Sequence, residues 1–224
     1  ITVKERNTGS IQVGAGYSSY GGASFNGQIN QANLFGKGYK LGASANLSSK
    51  DNYYNINFTD PYFLDSEWSA GVDIYQAMRT PPSYIEYKTG GALRLGHPLA
   101  PFLAGYLRYK YDDTRIQLDS LADPNLFSGA DGSTSSITAT IEYDHRDDRI
   151  NPSNGLFTSF ALEYAGLGGS KKFTKGFATT RYYHNVFWKA VFRNNLAYAY
   201  IAPTSSNEPP PFNELFLLGG ANSL

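Results

Sequence analysis

The densest group of chemically able side chains is Tyr143-Asp144-His145-Arg146-Asp147-Asp148-Arg149, where one imidazole stands among three carboxylates and two guanidinium groups. Such a set is the raw material of acid–base catalysis, because a carboxylate beside a histidine can orient it and tune its proton affinity. A solvated charge run at a strand end has the same composition, and that is the reading adopted. The other two histidines, His97 and His184, like His145, are expected in separate turns with no spacing that would gather a metal. Serine is plentiful, yet no Gly-x-Ser-x-Gly elbow is present. Gly14-Ala15-Gly16 lies in a strand-like run and lacks the following helix of a dinucleotide fingerprint. There is no cysteine, which removes disulfides, thiolate metal sites and cysteine nucleophiles. The sequence therefore assigns no catalytic, cofactor-binding or metal-binding residue, and the chain is not expected to be an enzyme.

The elements that carry these residues are strands. Phe25, Gly27 and Ile29 interleave with Ser24, Asn26, Gln28 and Asn30. Tyr39, Leu41, Ala43, Ala45 and Leu47 interleave with Lys40, Gly42, Ser44, Asn46 and Ser48. Tyr54, Ile56 and Phe58 do the same with Tyr53, Asn55, Asn57 and Thr59. Successive side chains of a strand point to opposite faces, so each segment has one apolar and one polar face. The pattern recurs in runs of about 8–14 residues, close to what a tilted strand needs to cross a bilayer. The class expected is an all-β, antiparallel, up-and-down transmembrane barrel.

Composition agrees. Mean hydropathy is −0.38 and no run of 18 apolar residues occurs; a barrel hides its hydrophobicity in every second residue. The 18 Tyr and 14 Phe suit aromatic girdles. The competing reading is an aromatic-rich soluble β-sandwich. A net charge of zero gives no electrostatic case for a nucleic-acid partner.

Eleven strands are predicted, at 9–18, 22–31, 37–48, 52–59, 66–79, 84–96, 102–116, 134–145, 156–166, 174–184 and 187–201. Leu41, Ala43, Ile56, Phe58, Ala139 and Ile141 are expected to face outward, with Asn46, Asn55, Thr138 and Glu142 on the concave side. Arg94, Arg108, Lys110, Glu142, Lys189 and Arg193 are charges at inward positions, which a water-filled lumen tolerates and a dry core does not. Some connections are short: 34–38, Asp60-Pro61-Tyr62-Phe63, and His97-Pro98-Leu99-Ala100-Pro101. Others are long and polar, such as 117–132 and everything from Ala202 onward. Short turns at one end and long loops at the other is the outer-membrane pattern, the short turns facing the periplasm.

An odd number of strands is unusual for a single-chain barrel. Ile1-Thr2-Val3 is no signal peptide, and Ala221-Asn222-Ser223-Leu224 reads as loop, so the chain is expected to be part of a larger barrel. Two open edges would then be left, 9–18 and 187–201, the second apolar along Trp188, Ala190, Phe192, Leu196, Tyr198 and Tyr200. Long open edges seek partners, so self-association through them is expected.

Four segments together resemble the BamA-type outer-membrane assembly barrels, and the first of them favours these over the related TamA or two-partner secretion transporters. Val3-Lys4-Glu5-Arg6-Asn7-Thr8-Gly9-Ser10 is similar to that family's junction between its last POTRA domain and first barrel strand. Asn57-Phe58-Thr59-Asp60-Pro61-Tyr62-Phe63 resembles its fourth strand and following turn. Tyr143-Asp144 through Asn151-Pro152-Ser153-Asn154-Gly155 resembles its turn between strands eight and nine. Phe216-Leu217-Leu218-Gly219-Gly220-Ala221-Asn222-Ser223-Leu224 resembles its sixth outer loop just before an Arg-Gly-Phe/Tyr motif. The resemblance implies a linker end at 1–8 and, at 9–224, the first two-thirds of a sixteen-strand barrel.

It further implies a protein that folds and inserts client β-barrel proteins, in contact with outer-membrane lipids and assembly lipoproteins, without a cofactor. The lateral seam would fall on Ile11, Gln12, Val13, Gly14, Ala15, Gly16, Tyr17 and Ser18, where a client strand adds by β-augmentation. The periplasmic turn motifs would be Asp60, Pro61, Tyr62 and Phe63, and Asn151, Pro152 and Gly155. Gly219, Gly220 and Ser223 would flank the sixth-loop motif. The alternative within the same class is a passive pore or secretion channel.

Overall fold

A computed structural model describes residues 7–19, 21–120, 123–188, 190–204 and 209–216. Within them the chain forms eleven strands: β1 (Gly9–Ser18), β2 (Gly22–Leu34), β3 (Tyr39–Ser48), β4 (Asp51–Asp60), β5 (Ser69–Arg79), β6 (Tyr84–Ala100), β7 (Leu103–Leu118), β8 (Gly132–Arg146), β9 (Gly155–Ala165), β10 (Phe173–Phe187) and β11 (Ala190–Pro203). They make one antiparallel sheet whose spatial order is the chain order. Among the described residues no strand pairs with the outer edge of β1 or of β11.

The register turns the alternation into two surfaces. Leu41 stands opposite Phe58, Phe58 opposite Val72, Val72 opposite Leu93, and Leu93 opposite Tyr109. Leu107, Ala139 and Leu162 form a parallel apolar row. The other face carries Thr59, Gly71, Arg94, Arg108, Thr138 and Glu163 as one continuous row across six strands. That row lines a hollow of about 440 Å3, so it is the concave side. The faces are those expected: Ile56 and Ile141 are exposed on the convex side, and Glu142 lies in register with Ser159 on the concave one. A sandwich would need a second sheet over the apolar face, and the described residues contain one sheet only.

The small core sits inside one end of the hollow. Ala165 and Phe173 are fully buried there with Thr134, Ser136 and Asp112. Loop 119–131 folds a 3-10 turn at Pro124–Phe127, and the segment after β11 folds another at Phe212–Glu214. The rings of Tyr84, Phe127 and Phe212 meet at centroid distances of 4.9–6.1 Å and tie these two loops to β6.

Several local expectations change. His97, His145 and His184 lie in β6, β8 and β10, not in turns. His97-Pro98-Leu99-Ala100 belongs to β6, and the turn is only Pro101-Phe102. Pro98 sits where the β6–β7 register shifts, a site that tolerates the absent N–H. Trp188 belongs to the β10–β11 turn with φ +51°, not to an edge strand. Lys189 lies outside the described residues.

Candidate functional site

β1 is the first feature to consider, because among the described residues its ten residues pair with β2 alone. Its outward side chains Ile11, Val13 and Tyr17 are 75, 86 and 84% exposed. Its concave side shows Gln12, Gly14, Gly16 and Ser18, beside Asn26, Gln28, Ser44 and Asn46. Gly14 stands directly opposite Asn26, and a Cβ there would collide with the Asn26 side chain. The strand is thus two-faced and thin on the inside, and among the described residues no strand pairs with its outer edge. That edge is a surface on which another extended segment can add.

The second feature is a ladder of charge on the concave wall. Arg94 Nε lies 2.9 Å from Asp73 Oδ2, and Arg108 reaches the same carboxylate at 3.8 Å. Lys110 Nζ lies 3.0 Å from Glu163 Oε1 and 3.8 Å from Asp112 Oδ2. Ser136 donates to Glu163 at 2.7 Å, and the Tyr75 hydroxyl donates to Asp112 at 3.1 Å. Alternation had placed Arg94, Arg108 and Lys110 here. Their partners come from neighbouring strands, so finding them requires the register.

Sequence reasoning missed the third feature. Glu214, in the turn after β11, is 6% exposed. Lys88 of β6 lies 3.4 Å from its Oε1, and Lys175 of β10 donates to Oε2 at 3.1 Å. Burial pushes its carboxyl up, but Lys88, Lys110 and Lys175 together outweigh this and hold it below the usual carboxylate range. Lys171 Nζ reaches Asn213 Oδ1 at 3.5 Å, and Lys175 lies over the Phe216 ring at 5.0 Å. The segment after the last strand therefore turns back into the hollow and is clasped there. The signal available in the sequence was a single acid among apolar neighbours, Phe212-Asn213-Glu214-Leu215-Phe216, just after Pro209-Pro210-Pro211.

The turn motifs are ordered by their own side chains. Asp60 closes β4 and accepts from the Tyr62 N–H, while Pro61, Tyr62 and Phe63 lead into a 3-10 turn at Phe63–Asp65. In the β8–β9 turn the Ser153 hydroxyl and the N–H groups of Ser153 and Asp148 converge on Asp147 and hold its carboxyl down at about 2. Asn151 accepts from Arg193 at 3.4 Å. Pro152 is buried, and Gly155 opens β9 with φ +117°. The charge run at the end of β8 is solvated as expected at Asp147, Asp148 and Arg149, but Asp144 takes Arg146 in a fork at 2.8 and 2.9 Å, and those two side chains are nearly buried. His145 points to the opposite face, away from these carboxylates. Among the described residues no group of three metal-binding side chains is gathered. Gly219, Gly220 and Ser223 lie outside the described residues.

A family profile described as the Omp85 superfamily domain matches residues 33–224, well over half of the chain.

The chain belongs to the Omp85 superfamily.

Its Omp85 relatives are consistent with one another. An outer membrane protein assembly factor BamA from Nitratidesulfovibrio vulgaris is 27% identical over the whole chain, which covers 29% of that protein. The BamA of Neisseria meningitidis serogroup B is 31% identical over 46% of the chain and 14% of its own length. The crystal structure of BamA from Haemophilus ducreyi lacking POTRA domains 1–3 superposes with a TM-score of 0.84 at 22% identity, over 99% of this chain and 46% of that one. The chain thus spans less than a third of the first relative, and its fold is the barrel fold of the structural one. This Omp85 barrel segment is an element of the bacterial outer membrane.

Proposed function

We propose that this segment, within its full-length protein, folds and inserts other outer-membrane barrels by offering the free edge of β1 as a template for their strands. The observation that carries the reading is the build of β1, apolar and widely exposed on the convex side and small on the concave side. A client strand with the same alternation would match both faces while its backbone satisfies the edge. In hydrocarbon each unsatisfied backbone group costs several kcal/mol, so an open edge drives such pairing. The work is mechanical and needs no covalent step, nucleotide or metal. Strands beyond β11 would complete a sixteen-strand barrel, and preceding domains would gather clients and assembly lipoproteins. The channel alternative rests on the charges lining the hollow, two of which, Lys88 and Lys175, are taken up by the clasp on Glu214.

The test is a crosslink. With Val13→Cys in the full-length protein, thiol crosslinking to the C-terminal strand of a nascent client is expected, at least fivefold above Asn55→Cys on the concave wall. Equal yields at the two sites would remove β1 as the template.

The same edges govern the 224-residue chain by itself. In detergent its β1 and β11 are expected to pair between copies, because Phe192, Leu196, Tyr198 and Tyr200 make the outer face of β11 apolar and more than half exposed. Light scattering should report a dimer or larger particle. A monomer with both edge strands protected from amide exchange would refute this.

A further inference from the structure

The concave wall changes character along the sheet. β1 and β2 contain no charged residue. In β3 and β4 the charges are Lys40, Asp51 and Asp60, each at or next to a strand end. The first inward charge at mid-strand is Asp73 of β5, opposite Asn57, and from there Arg94, Arg108, Lys110 and Glu163 follow. Before it the wall is made of amides and hydroxyls. Gln12, Gln28, Ser44 and Asn55 form one row across β1 to β4, and Asn26 and Asn46 flank it. Gln12, Asn26, Gln28, Ser44 and Asn46 line a hollow of about 440 Å3 beside the edge strand.

Neither space nor solvent explains this choice. Aspartate has the outline of asparagine and glutamate that of glutamine, so each of these amides could be a carboxylate without a clash. Gln12, Asn26, Gln28 and Asn46 are exposed, so a charge at any of them would keep its water. The same wall carries charges freely from β5 onward. What sets β1 to β4 apart is nearness to the edge. Neighbouring strands lie about 4.8 Å apart, so Asp73 stands about 24 Å along the sheet from a strand added outside β1. The screening length at physiological ionic strength is about 8 Å. A strand at that edge is therefore out of reach of the fixed charges at mid-wall. Like charges across a strand pair are destabilising, and a neutral neighbour imposes that penalty on neither sign. An amide also offers both a donor and an acceptor, so it meets an inward polar group of either role.

We propose that this neutral margin of four strands makes the template indifferent to the sign of a client's inward charges, so that strands from acidic and basic lumens are accepted alike. The proposal rests on β1 being the template and adds what that template selects. Its apolar convex face fixes which way an incoming strand faces, and its concave face rejects none by charge. The partner is an extended strand, apolar on one side and carrying acidic or basic residues on the other. Gln12, beside the added strand, and Gln28, opposite Gln12 on β2, are the residues that set this breadth.

Two versions of one client barrel are compared in cells that make the full-length protein. At inward positions of its C-terminal strand one version carries two glutamates and the other two lysines. Assembly is followed by pulse-labelling and the appearance of the client's heat-resistant band. The parent is expected to assemble both versions at rates within twofold of each other. Gln12→Glu with Gln28→Glu changes charge and not shape, and is expected to slow the glutamate client at least fivefold relative to the lysine client. Gln12→Lys with Gln28→Lys is expected to reverse that order. Asn55→Asp on β4, about 19 Å along the sheet from the added strand, should leave the ratio within twofold. General damage slows both clients together, so a reversal of order reports recognition. The single exposed change Gln12→Glu is read in the same way and spares the wall a second charge. Variants that leave the client ratio at its parental value overturn the proposal. The Val13→Cys crosslink, made with both clients in each background, separates the two readings. Crosslinks at parental yield with an unchanged client ratio remove the neutral margin and leave the template standing. No crosslink in the parent removes the template, and the margin with it.

Discussion

Glu214→Gln is expected to release the segment after β11 from the hollow and to lower stability by about 3 kcal/mol, near the lower end of what breaking a buried ion pair costs. The variant keeps the shape but removes the charge that holds Lys88 and Lys175 together, with Lys110 close by. Three cations are then left on one wall without that anion. The lysine side chains are each 22% exposed, so water recovers part of the loss. The pH dependence follows from the lowered carboxyl of Glu214. A depressed folded value means that the contribution is fully present above the unfolded value, about 4.3, and is lost as pH falls through the lower folded one. Neutral to mildly acidic solutions should leave the clasp closed, and strong acid should open it. Protease cleavage within 204–216, and the temperature at which the barrel unfolds in detergent, measure both effects. Equal cleavage of the variant and the parent at pH 7 would show that Glu214 is not the clasp.

Gly155→Val is expected to be still more damaging, at about 4 kcal/mol or more, a size reserved for backbone strain or core disruption. Gly155 opens β9 at φ +117°, outside every region that a β-branched residue adopts. A Cβ would also strike the carbonyl oxygen of His145 and stand 2.7 Å from Cα of Arg146. These are backbone atoms of the paired strand, so no side-chain rotation relieves the contact. The β8–β9 hairpin must open at its base, which frees Asp144 and Arg146. The expected result is loss of the folded, heat-resistant band on a gel, while Ser153→Ala in the same turn keeps it. Normal assembly of Gly155→Val would refute the steric argument.

The pattern behind these two residues was unequally legible. Period-two alternation is a local property, so eleven strands and the two faces of residues such as Ile56 and Glu142 could be read directly. Gly155 could be read as a turn glycine because Asn151-Pro152-Ser153-Asn154-Gly155 carries turn chemistry in consecutive positions. His97 was misplaced because Pro98 looked like a breaker, whereas a proline at a register shift forfeits no ladder bond. The ion pairs of the hollow were out of reach. Lys110 and Glu163 are 53 positions apart and meet only once β7, β8 and β9 have taken their register. Glu214 was the hardest case, since 126 positions separate it from Lys88 and no periodicity links a loop to a wall.

The strict chain order of the sheet bears on how such a molecule comes into being. Among the described residues the backbone of each strand pairs only with the strand before and the strand after it, so the ladder behaves as a one-dimensional zipper with nearest-neighbour terms. Loop-closure entropy stays small at every step, because each new hairpin closes over a short stretch. Growth can start at any hairpin and run in either direction without waiting for a distant partner. The clasp at Glu214 is the exception: it joins β6 to a segment that follows β11, and cannot form until the intervening strands are in place. Formation of that contact is therefore a late kinetic checkpoint, one that reports whether β6 through β10 have zipped in register.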